Sequence, residues 1–243
     1  MDSENYRGYA VKIMQEEEAS ESPRDGDNAG TMVCFHNRYT LGDKTDFRSG
    51  DFSSWEELKA AIFRKEGRTM IFPLFLYDHS GLRMKIGSYQ GMLSQGHAEF
   101  DSGCVGYIYI SYNKIRKEWG KRGGRLSQKA IRQAEKCLRQ EVETYDQYLG
   151  GDVWYFTAEK DGVSVDSCGG LYGYAYALQY AHESVDASIK AARSEHCRKP
   201  EDKNNFKKRI VGTIPGIDFP EDFDALPEAE KQARLDKAIA VLQ

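Results

Sequence analysis

A chain of 243 residues that is 40% hydrophobic and 12% aromatic carries enough apolar side chain for a packed core, in one large domain or one domain with an appendage. Its formal net charge of −4 excludes a chain-wide nucleic-acid charge footprint, so any such signal must be local. No apolar run approaches the length of a membrane span, and the five cysteines are odd in number without a CxxC pair, which argues against a disulfide scaffold or a zinc knuckle.

The expectation is therefore of reduced, mostly buried thiols in a cytoplasmic protein. The start Asp2-Ser3-Glu4-Asn5 is acidic and lacks the basic-then-apolar pattern of a leader. Tyr9 to Met14 reads as a first strand, followed by acidic residues and the turn-rich loop Ser22-Pro23-Arg24-Asp25-Gly26-Asp27-Asn28. Thr31 to His36 reads as a strand. Ser53 or Ser54 caps a helix with Glu56 and Glu57 in its first turn, Trp55, Leu58 and Ile62 on one face, and Gly67 at its end.

Thr69 to Tyr77 is the most apolar run, and its length and aromatics favour a buried strand. Pro73 within it calls for an edge or a bulge. Leu82 to Ile86 pairs with it across Asp78-His79-Ser80-Gly81, and Cys104 to Tyr112 alternates as a strand does. Ser127 to Leu149 is the clearest helix, with Ala130, Ala134, Leu138, Val142, Tyr145 and Leu149 in one apolar stripe and Gly150-Gly151 as its stop.

Val153 to Ala158 and Val163 to Val165 flank the hairpin signal Asp161-Gly162. Tyr174 to Cys197 returns to helical periodicity. After Pro200 the composition becomes charged and proline-containing, with a short helix at Glu228 to Leu242. The predicted architecture is α+β: a mostly antiparallel sheet with two long packed helices in a main domain over 1–199, and a small helical appendage over 200–243.

Four constellations bear on function. The first is basic. Lys121, Arg122 and Arg125 sit on a glycine-rich loop, and Lys129, Arg132, Lys136 and Arg139 recur at helical spacing just after it. Such a surface attracts phosphates or an acidic protein face; the competing reading is a solvated helix face. The second is His36, Asp78, His79 and Asp101, which stand beside turns where a metal-assisted hydrolase could be built. No HxH, HExxH or DxD spacing supports a metal there, and aspartates in such turns usually bond the backbone. No cofactor is implied.

Cys104 and Cys168 form the third, each beside glycines after Asp-Ser. A nucleophile would need a neighbouring base and cation, so buried thiols are the simpler reading. The fourth is Tyr172, Tyr174, Tyr176 and Tyr180, which suit either a recognition surface or packing against Trp154.

The segments TMVCFHNRYTLGD (31–43), LFLYDHSGL (74–82), FDSGCVGYIYIS (100–111), ETYDQYLGGDVW (143–154) and DSCGGLYG (166–173) resemble a family of small uncharacterised proteins encoded by bacteriophages and other mobile elements. The resemblance covers roughly residues 30–195. Against that family's pattern, Phe100 and Gly169 stand where Trp is expected, and Cys104 stands where Gln is expected. The resemblance implies no catalytic residue. It implies an accessory protein that acts stoichiometrically in a bacterial cytoplasm on a host protein or nucleoprotein, such as a CRISPR effector or restriction complex. Lys121 to Arg139 would be the contact surface. The alternatives are the hydrolase or nuclease above and a plain nucleic-acid-binding protein. No membrane contact is expected.

Overall fold

The computed structural model describes residues 2–17, 21–92, 100–120 and 126–196, with side chains to 192. The proposed appendage over 200–243 and the cationic loop Lys121, Arg122 and Arg125 lie outside the described residues. Met1–Ser184 is one compact unit and Val185–Gln243 a second. Everything below concerns the first.

The fold is α+β, as expected, but its strands divide between two four-stranded antiparallel sheets. One has the order β1-β2-β7-β8, from β1 (Asp2–Tyr6), β2 (Tyr9–Gln15), β7 (Val153–Lys160) and β8 (Val163–Tyr172). The other has the order β3-β6-β4-β5, from β3 (Thr31–Cys34), β4 (Thr69–Asp78), β5 (Leu82–Ile86) and β6 (Ser102–Ser111). The described helices are α1 (Trp55–Glu66), α2 (Tyr112–Trp119), α3 (Gln128–Leu149) and α4 (Tyr174–His196). The turn-rich segment after β2 carries the chain to the second sheet; α2 and α3 bring it back to the first.

The second sheet is covered on both faces. Alternation along β6 sends Ile108 and Ile110 to one side, where they meet Leu138, Val142 and Tyr145 of α3. Tyr107 and Tyr109 go to the other side, against Leu58 and Ile62 of α1. Pro73 sits in an inner strand without breaking it. Its carbonyl accepts from Gly87 N–H at 3.0 Å, so its nitrogen faces the side on which β5 has ended.

One residue further, the β4–β6 register shifts: Leu74 pairs with Gly106 and Phe75 with Cys104, leaving Val105 as the extra residue of a bulge. The bulge turns Val105 into the α3-side core. Only glycine fits next to it, because a Cβ on Gly106 would lie 1.9 Å from the Val33 carbonyl oxygen.

The first sheet is packed on by α4. Tyr174 stands edge-on to Trp154 at 5.0 Å, Tyr180 meets Phe156 at 6.0 Å, and Ala177 and Ala181 are fully buried. Asp161 and Gly162 both take positive φ, 52° and 78°, which matches the expected two-residue hairpin turn. The described residues contain no helix long and apolar enough to cross a membrane.

Candidate functional site

The basic face is built on α3. Ser127 caps it, its hydroxyl accepting from Ala130 N–H at 3.2 Å. The stripe Ala130, Ala134, Leu138, Val142 and Tyr145 is buried. At 100° per residue, Lys129, Arg132, Lys136 and Arg139 fall on the opposite side of the helix, and all four are exposed. Arg139 is held: it bonds Glu135 one turn earlier at 2.9 Å and lies over the Phe72 ring at 5.1 Å. Lys129, Arg132 and Lys136 make no ion pair among the described residues.

His36, Asp78, His79 and Asp101 do converge. His36 lies two residues past β3, Asp78 ends β4, His79 is in the turn after it, and Asp101 is the residue before β6. Asp78 N–H donates to the Asp101 carbonyl at 2.9 Å, which ties the two strand ends together. His36, Asp78 and Asp101 line a cavity of about 390 Å³. Yet the carboxylates are already matched: Asp78 with Arg38, and Asp101 with His79 Nδ1 at 3.1 Å. Among the described residues no group of three or more His, Cys, Asp or Glu side chains could hold a metal ion.

Burial works against ionisation of the Cys34 and Cys104 thiols. Cys104 lies in β6, half-buried, and burial pushes its thiol up from the ordinary value. Cys34 is pushed up to about 12, again chiefly by burial. Cys168 lies within β8 rather than in a turn leading to α4, because Gly169-Gly170 forms a bulge opposite Tyr155 and the strand continues to Tyr172. The tyrosines split: Tyr172 and Tyr174 are half-buried, while Tyr176 and Tyr180 are exposed.

Two sequence signatures turn out to be structural. In ETYDQYLGGD, Asp146 accepts from Met84 N–H at 2.6 Å and pairs with Arg83 at 2.7 Å, docking α3 on β5. Tyr145 is buried and its oxygen accepts from Gly42 N–H at 3.0 Å. In DSCGG, Asp166 accepts from the Ser184 hydroxyl of α4.

The strongest polar feature had no sequence signal. Arg24 is buried, with a side chain only 2% exposed, and all five of its N–H donors are used. Nε and Nη2 bond both oxygens of Asp43 at 2.7 and 2.8 Å, Nη1 bonds Glu141 at 2.9 Å and Asn28 at 3.1 Å, and Nη2 also reaches the Gly30 carbonyl at 2.9 Å. Burial opposes its charge, but the two carboxylates outweigh burial and raise its pKa. Glu141 further accepts from Ala29 N–H at 2.8 Å, and Asp43 from Met32 N–H at 2.8 Å. The hub thus fixes the loops before β3 and at Asp43 against α3.

No family model, curated protein or solved structure matches this chain.

Proposed function

We propose that this protein is a stoichiometric accessory factor of the phage or mobile-element type, which binds a host nucleoprotein of the defence machinery in the cytoplasm. The contact is made by the basic face of α3 with phosphates of the nucleic-acid component. The observation that carries this reading is the trio Lys129, Arg132 and Lys136: exposed, opposite the buried stripe, and without ion pairs among the described residues. Like charges at three- and four-residue spacing repel along a helix, a cost that an anionic partner removes. Lys121, Arg122 and Arg125 precede the face in sequence.

A hydrolase at His36, Asp78, His79 and Asp101 is the weaker reading, because the two carboxylates are matched by Arg38 and His79 rather than aimed together at one point. The test is capture from a bacterial lysate, with and without nuclease, by the wild type and by the Arg132→Glu/Lys136→Glu variant. The reading expects a nucleoprotein captured by the wild type, released by nuclease, and missing from the variant. Equal capture by both proteins counts against it. Capture that survives nuclease but not the charge reversal points to an acidic protein face instead.

A further inference from the structure

A second surface in the same compact unit is unrelated to the basic face of α3, none of whose cations lines it. It is a cleft of about 1700 Å³ beside the long loop between β3 and α1, lined also by Tyr145 and Tyr148 of α3. The cleft is pre-formed. The hub at Arg24 holds Asp43, and Tyr145 holds Gly42, so the loop is anchored at its middle. Pre-formed concave sites lined by aromatic rings and a few polar groups are the usual form of small-ligand sites.

The wall has a definite character. Phe35 lies 16° from parallel with each of Phe52 and Trp55, at centroid distances of 6.3 and 6.2 Å. The core beneath them is already sealed, since Leu58 and Ile62 are fully buried. The rings are only half-buried and extend beyond that core into the cleft. Partly exposed aromatic rings on a cleft wall can take a flat ring against them.

The same loop carries Lys44 and Arg48, both exposed on the cleft and neither ion-paired among the described residues. His36 adds a donor. Its Nδ1 accepts from Arg38 N–H at 3.2 Å, so the neutral ring holds its proton on Nε2. A purely apolar ligand would leave these groups without a role, and a simple anion would leave the aromatic rings without one.

We propose that this cleft binds a nucleotide, its base stacked against the rings of Phe35, Phe52 and Trp55 and its phosphate held by Lys44, Arg48 and His36 Nε2–H. The nucleotide is either free or part of a single strand passing through the cleft, and the shared chemistry is the same.

The experiment uses the full chain with Trp119→Phe and Trp154→Phe, which leaves Trp55 as the sole tryptophan. Its fluorescence is titrated with AMP, ATP, adenosine, inorganic phosphate and an oligothymidylate of about 12 nucleotides. Calorimetry on the unaltered chain with the same probes provides a readout that does not depend on that background. Saturable quenching by AMP or ATP, with adenosine weaker by about tenfold or more, supports a free nucleotide. Quenching by the oligonucleotide alone supports a strand. In either case Lys44→Glu/Arg48→Glu must weaken binding by about tenfold or more while the melting temperature stays put. No quenching and no heat with any probe up to ~1 mM overturns the proposal, and so does binding indifferent to the double reversal.

Discussion

Replacing Arg24 by Met removes the charge at the centre of the buried hub while keeping a long apolar stem. Asp43 and Glu141 then face each other's surroundings without a cation, at side-chain exposures of 19% and 11%. Breaking a buried pair by deleting one partner costs about 3–5 kcal/mol. Here each carboxylate keeps backbone donors, Met32 N–H for Asp43 and Ala29 and Gly30 N–H for Glu141, so the lower end applies, about 3 kcal/mol. Urea unfolding followed by tryptophan fluorescence measures it. Adding Asp43→Asn to Arg24→Met should recover about half the loss, because one of the two stranded charges disappears. Alone, Asp43→Asn should be destabilising, so the pair shows a coupling of about 2 kcal/mol. An Arg24→Met loss below about 1 kcal/mol, the size of a surface pair, would refute the reasoning.

Gly106→Ala should cost at least about 2 kcal/mol, since its Cβ meets the Val33 carbonyl at 1.9 Å and its φ is +154°; a thermal melt within about 2 °C of wild type would show that the bulge tolerates a side chain. Stability should fall as pH rises from about 9 towards about 12, because burial raises Cys34 from 9.0, and Tyr89, Tyr109 and Tyr145 from 10.0, to about 12. The sign follows from linkage: above its ordinary pKa the unfolded chain has lost a proton that the folded chain still holds, so alkali favours unfolding. Urea midpoints at several pH values check this, and Cys34→Ala should flatten the first part of the decline; a midpoint constant to pH 11 would contradict it.

Where local pattern and tertiary role agree, the sequence was readable. The α3 stripe repeats at three and four residues, and every member from Ala130 to Tyr145 is buried. Asp161-Gly162 marks its hairpin locally, since both residues take the positive φ that the turn requires. β1 escaped notice because an edge strand made of Asp2-Ser3-Glu4-Asn5-Tyr6 has no apolar alternation to betray it; the pairing partner β2 supplies the order. α2 escaped because the alternation of β6 runs up to Ser111, whose capping role shows only once Lys114 N–H is seen to bond its hydroxyl at 3.2 Å. The division into two sheets depends on which strands pair, and short-range pattern does not encode that.

The hub is the extreme case. Arg24 meets Asp43 across 19 residues and Glu141 across 117, so nothing near it in the chain marks it. The cluster at His36, Asp78, His79 and Asp101 was legible as turn residues that gather at strand ends, but its internal pairing with Arg38 and within itself was not.

The central claim is that the exposed face of α3 engages phosphates. The most direct measurement is the affinity of the full chain for a labelled DNA duplex of about 20 base pairs, by fluorescence anisotropy from 50 to 200 mM salt, roughly the range over which counterion release is read. The wild type should bind with log K falling linearly against log salt concentration, and Arg132→Glu/Lys136→Glu should bind at least about tenfold more weakly with a slope shallower by about two, one unit for each lost phosphate contact. A reversed variant that binds as tightly and with the same slope, or a wild type that does not bind at the lowest salt, would contradict the claim.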